Sequence, residues 1–157
     1  SAGGHLAASL GMFWNDPALA KEVGAKDNEA LRPNGMILCY PVITSGEYAH
    51  RGSFDHLLAG KEELMSKLSL ETAVSKDTPP TFLWHTFDDD SVPVENSLLL
   101  VSALRKAGIP TEFHMYPKGG HGLALANRLT ATADGSHIQE ECSSWIGLAQ
   151  TWIEYQL

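Results

Sequence analysis

Residues 81–108 read TFLWHTFDDDSVPVENSLLLVSALRKAG, and the order of features in this stretch decides the fold. TFLWHTF (81–87) is a compact apolar run announced by Pro79-Pro80, the pattern of a buried strand. Residues 94–107 predict a helix, with Pro93 at its start, Arg105 and Lys106 in its last turn and Gly108 as its stop. EFHMYP (112–117) then supplies another short strand. A helix between consecutive buried strands implies a parallel sheet. Upstream, MILCYPVIT (36–44), bounded by Pro33-Asn34-Gly35 and Ser45-Gly46, adds a third strand. The expected class is α/β, with parallel strands near 36–44, 81–87 and 112–117 and flanking helices.

The outer segments fit that frame. Residues 3–13 are small or apolar with Leu6 and Leu10 at helical spacing, so a helix starts directly after Ser1. A short helical run follows Asp16-Pro17. Ile138, Cys142, Trp145, Ile146, Ala149, Trp152 and Ile153 predict an amphipathic helix laid on the sheet, and Trp84, Trp145 and Trp152 read as core. Residues 46–78 exceed an ordinary connection and hold helical pieces around 54–58 and 62–68. They read as a lid-like insertion over the sheet edge where active sites form.

At 157 residues the chain is one domain or a piece of one. A hydrophobic fraction of 43% and a charged fraction of 19% are those of a soluble globular protein, and no apolar run approaches bilayer length. A net charge of -8 without a basic patch argues against nucleic-acid partners. Cys39 and Cys142 read as reduced core thiols, and cytoplasm is the default compartment. His85 beside three adjacent aspartates makes neither a calcium loop nor a zinc site, so no metal or other cofactor is expected.

Nucleophilic acyl transfer needs an exposed serine, a histidine to take its proton and a carboxylate to orient the histidine. Ser1 heads a helix, so the Ala2 N–H and the helix dipole point toward a developing oxyanion. The aspartates of DDDSVP (88–93) and His121 of KGGHG (118–122) follow strands, where a parallel sheet places functional groups. The chain order is Ser, Asp, His. His5, one helical turn after Ser1, reads as a packing residue. His50, Arg51, Ser53, Phe54 and His56 are candidates for a substrate mouth, and a solvated lid face accounts for them equally well.

Four motifs, SAGGHLAA (1–8), LCYPVIT (38–44), HTFDDDSVPVENS (85–97) and YPKGGHG (116–122), together resemble the α/β-hydrolase superfamily, and within it the acetyl esterase and acetyl xylan esterase-like group. The resemblance implies a triad of Ser1, Asp89 and His121, with the Ala2 N–H in the oxyanion hole. Asp89 is chosen over Asp88 and Asp90 because the family's aspartate stands three residues before the Val of Val-Pro. It implies small acyl esters as substrates, notably acetylated sugars or xylan-derived oligosaccharides. It also implies that this chain is the C-terminal portion of one catalytic domain, lacking the strand before the elbow and the loop with the second oxyanion donor.

Three rivals stand beside this reading. A prolyl oligopeptidase-like peptidase shares the triad order. An N-terminal nucleophile hydrolase would use the Ser1 α-amine as base, but it expects a strand after the serine. A non-catalytic half-domain would self-associate or need a missing N-terminal polypeptide.

Overall fold

A computed structural model describes residues 1–157. In chain order the elements are α1 (Ala2–Phe13), α2 (Pro17–Val23), β1 (Met36–Cys39), α3 (Arg51–Leu58), β2 (Thr81–Thr86), α4 (Glu95–Ala107), β3 (Thr111–Tyr116), α5 (Glu140–Ser143) and α6 (Trp145–Gln156). Single 3-10 turns fill Glu29–Leu31, Glu62–Leu64, Ser66–Leu68 and Leu70–Thr72. The sheet is parallel in the order β1-β2-β3, with Cys39 opposite Trp84 and Trp84 opposite His114. No helix is long and apolar enough to cross a membrane.

Central β2 is buried on both faces, and its alternation divides the core. Leu83 points to one side, where Ala8, Met12, Met36, Leu38, Ile43, Leu70, Leu100 and Leu104 pack beneath α1 and α4. Phe82 and Trp84 point to the other, against Leu123, Cys142, Trp145, Ala149 and Trp152. Both thiols are free, and burial, helped by Glu141 and Asp88, pushes that of Cys142 up to about 11.

Three expectations need correction. The first strand ends at Cys39, not at residue 44, because Tyr40 takes a left-handed φ of 37° and Pro41 has no N–H to donate to a ladder. The freed backbone is satisfied elsewhere: the Val42 N–H donates to the Ser1 carbonyl, and those of Ile43 and Thr44 donate to Asn96 Oδ1.

Helix α1 forms as expected, but Leu6 is 73% exposed and the buried face is His5, Ala8, Gly11 and Met12. Small residues let the helix approach the strand closely. A Cβ on Gly4 would stand 2.9 Å from Pro41 Cβ, whereas one on Gly3 would meet nothing within 4 Å.

The last amphipathic segment is two helices. Ser143 and Ser144 turn their hydroxyls back onto the carbonyls of Glu140 and Glu141 at the break, competing with the helical ladder. Cys142, Trp145, Ala149 and Trp152 face the sheet, while Ile138, Ile146 and Ile153 face out.

Candidate active site

The C-terminal ends of the three strands converge on one region. After β2, Asp89 alone of the three aspartates is buried. Its Oδ1 accepts the N–H groups of Ser91 (3.0 Å) and Val92 (2.9 Å), an Asx-type turn that fixes the carboxylate. Its Oδ2 accepts His121 Nδ1–H at 2.7 Å and stands 3.3 Å from His85 Nε2. Burial alone would raise the Asp89 pKa, but the donors His121, His85, Val92 and Ser91 outweigh it and hold the carboxyl well below the usual range. Asp88 is exposed and accepts the Gly119 N–H at 2.7 Å, tying the histidine loop to the end of β2.

That loop follows β3. Gly119 has a φ of 138°, and a Cβ there would meet Leu123 Cδ1 at 2.8 Å and Thr86 Cγ2 at 2.9 Å, so only glycine fits. The His121 side chain is 22% exposed. Its ring packs edge-on against Tyr40, centroids 5.1 Å apart, and the Tyr40 hydroxyl accepts the Ala124 N–H. With Nδ1–H committed to Asp89, the neutral ring carries its lone pair on Nε2.

Ser1 precedes α1 above the end of β1, and its carbonyl accepts the His5 and Val42 N–H groups. Its hydroxyl does not cap its own helix, so the commonest structural use of a serine at this position is absent. Burial lowers the pKa of its α-amine, while nearby Cys39 and Asp89 oppose the shift. The Val42 bond seats the start of α1 on the chain as it leaves β1. Ala2 opens the first turn and lies where two concavities meet. One is an apolar cavity of about 230 Å³ lined by His5, Leu6, Val42, Phe54 and Leu68, and the other an open cleft of about 570 Å³ lined by His50, Gly52, Ser53, His56 and Leu57.

The remaining candidates separate. His50 borders the cleft, its Nδ1 accepting the Ser53 N–H, which leaves Nε2 as its donor. Phe54 is buried with Val42, Leu58 and Val92 and reaches only the apolar cavity. Arg51 turns to the Gly46 carbonyl and Met65 Sδ. His5 is buried with Nε2 on the Leu68 carbonyl, as a packing residue would be. Trp14 is buried, its indole donating to the Asp77 carbonyl.

Sequence reasoning missed three residues that support this region: Tyr40, His85 and Asn96. Asn96 is fully buried, and its amide also donates to the carbonyls of Tyr48 and Pro93. Its signal was an amide at helical spacing from Leu100 and Leu104, on the face of the helix that is buried.

A parallel sheet covered on both faces by helices, with polar residues gathered at the strand ends, is part of an α/β-hydrolase fold. The chain belongs to the prolyl oligopeptidase family, which matches residues 19–136. Over 135 residues, 81% of this chain, it is 42% identical to endo-1,4-beta-xylanase B of Butyrivibrio fibrisolvens, covering 20% of that protein. It is 35% identical over 133 residues, 80% of this chain, to acetylxylan esterase of Xylanibacter ruminicola, covering 25% of it. Among solved structures it resembles an acetyl ester-xyloside bifunctional hydrolase from Caldicellulosiruptor lactoaceticus, with 43% identity and a TM-score of 0.79 over 98% of this chain and 53% of that one. The chain spans a fifth to a quarter of those two relatives and about half of the solved chain.

Proposed function

We propose that the protein is a serine carboxylester hydrolase acting on small acyl esters, foremost acetyl groups on sugars or xylan-derived oligosaccharides. The observation that carries this reading is the 2.7 Å bond from His121 Nδ1–H to buried Asp89, and Ser1, at the start of a helix it does not cap, is the serine the reading assigns to it. Ser1 Oγ attacks the ester carbonyl carbon while His121 Nε2 takes its proton. The oxyanion is received by the Ala2 N–H at the positive end of α1. Collapse expels the alcohol, protonated by His121, and leaves an acyl-serine. Water, deprotonated by His121, then releases the acid and restores Ser1. Asp89 fixes the imidazole tautomer and stabilises the imidazolium formed in both steps. The sugar-ester preference rests on the relatives named acetylxylan esterase and acetyl ester-xyloside hydrolase. On this reading the 157 residues are the C-terminal portion of one catalytic domain, with residues 46–78 as its insertion.

A fluorophosphonate probe tests the assignment with the native upstream segment present: it should label wild type and not Ser1→Ala, with p-nitrophenyl acetate hydrolysis lost in parallel. Labelling that survives Ser1→Ala overturns the nucleophile. The family match also admits peptide cleavage. Faster turnover of a Gly-Pro anilide than of acetyl esters would make the protein a peptidase.

A further inference from the structure

His85 has no part in the chemistry just described, yet its imidazole shares Asp89 Oδ2 with that of His121. It is wholly buried on β2, one residue along from Trp84, so the strand's alternation turns it toward α4. Its Nε2 lies 2.9 Å from the Val92 carbonyl and 3.3 Å from Asp89 Oδ2. Both partners only accept, so Nε2 carries the proton. Its Nδ1 lies 2.8 Å from Ser97 Oγ, also wholly buried, and in the neutral ring accepts a hydrogen bond from that hydroxyl. Val92 in turn donates its N–H to Asp89 Oδ1. The contacts close a ring: Ser97 sets the His85 tautomer, His85 holds Val92 and Oδ2, and Val92 holds Oδ1.

We propose that His85, fixed by Ser97, is a positioning residue that orients Asp89 toward His121 through one shared Nε2–H. This rests on the esterase reading for its catalytic consequence but not for its geometry. Losing the donor leaves Oδ2 with His121 as its remaining partner and the Val92 carbonyl buried without the His85 N–H. It also concentrates negative charge on Oδ2, which then binds the His121 imidazolium more tightly. The His121 titration midpoint therefore rises. The other titratable groups near the pair are Asp88 and Asp90 in the same loop, Cys39 and Tyr40 at the end of β1, and the Ser1 amine. None of them is altered by the substitutions below.

Gln places its amide nitrogen where His carries Nε2, so His85→Gln is the conservative variant and His85→Leu the disruptive one. Histidine ¹⁵N–¹H spectra of the 157-residue chain should show His85 as a single Nε2–H tautomer in wild type. The His121 midpoint should rise by about half a pH unit or more in His85→Leu and stay within about 0.2 in His85→Gln. Ser97→Ala should give an intermediate rise, and it carries the test if His85→Leu fails to fold. In acetyl-ester assays kcat should fall about ten-fold in His85→Leu with KM within about two-fold, and His85→Gln should recover most of it. An unmoved His121 midpoint in both His85→Leu and Ser97→Ala, or a Gln variant no better than Leu, overturns the proposal. A midpoint that moves in a protein without esterase activity upholds the positioning role and rejects the esterase reading instead.

Discussion

Asp89→Asn tests the proposed mechanism through hydrogen-bond direction rather than charge alone. Oδ1 accepts two backbone N–H groups, from Ser91 and Val92, so the new side chain must keep its carbonyl oxygen there. The amide NH₂ then occupies the Oδ2 position, 2.7 Å from His121 Nδ1. A donor now faces a donor. His121 resolves the conflict by moving its proton to Nε2, which leaves Nδ1 as acceptor and removes the lone pair that would take the Ser1 proton. The same change of tautomer in a serine protease triad costs about 10⁴ in kcat, so a loss of about 10³–10⁴, or about 4–5.5 kcal/mol in the barrier, is expected. The assay is p-nitrophenyl acetate turnover by wild type, Asp89→Asn, Asp88→Asn and Asp90→Asn, with His121 tautomers read from ¹⁵N shifts of the same samples. Asp90→Asn should be near wild type, and Asp88→Asn should fall only as far as its bond to Gly119 steadies the histidine loop. An Asp89→Asn enzyme within ten-fold of wild type, with His121 still protonated on Nδ1, would refute the reasoning.

Acid stability should follow the same carboxylate. Its folded pKa lies below the unfolded value of about 3.9, so its contribution is fully present above that pH and is lost as pH falls toward the folded value. Urea midpoints of wild type should therefore drop below about pH 4, with a shallower drop in Asp89→Asn; parallel curves would exclude Asp89 as a source of the acid sensitivity. Gly4→Ala should destabilise the chain by about 1–3 kcal/mol, because its Cβ would stand 2.9 Å from Pro41 Cβ and lift α1 off the end of β1. Gly3→Ala, with open space at its Cβ, should be neutral or stabilise by up to about 1 kcal/mol. Chemical denaturation of the two variants decides it, and equal effects would show that helix propensity rather than close approach governs this turn.

The three strands and the helix near Pro93 were legible because prolines or glycines mark their starts, and the helix beginning at Ala2 because small and apolar residues follow Ser1 with Leu6 and Leu10 at helical spacing. The faces of those elements were less legible. Leu6 and Leu10 announced α1, yet the helix buries His5, Ala8, Gly11 and Met12 instead, the face on which Gly4 meets Pro41 and Gly11 meets Met36 too closely for a Cβ. Hydrophobicity marks where a helix is, and residue size marks how it docks. A similar limit applies to MILCYPVIT, where nine consecutive residues suit a strand but only four pair. The chain leaves the sheet at Tyr40 through a positive φ, which no pattern of apolar residues encodes. That departure brings Tyr40 onto the His121 ring and brings the Val42 N–H to the Ser1 carbonyl.

The family resemblance singled out Asp89 among three adjacent aspartates, and the turn that holds it has a local cause: its Oδ1 bonds N–H groups two and three residues ahead, a contact written within a few positions of sequence. His85 and Ser97 lie 12 residues apart on a strand and a helix, and they meet only when α4 packs on β2. A buried histidine in a strand and a buried serine in a helix are each ordinary in sequence. Their meaning depends on the parallel crossover that brings them together, the same crossover that first identified the fold. The site therefore divides by distance along the chain: turns and glycine-flanked loops can be read locally, while the residues that support them follow from topology. Further supporting residues should be sought where β2 faces α4.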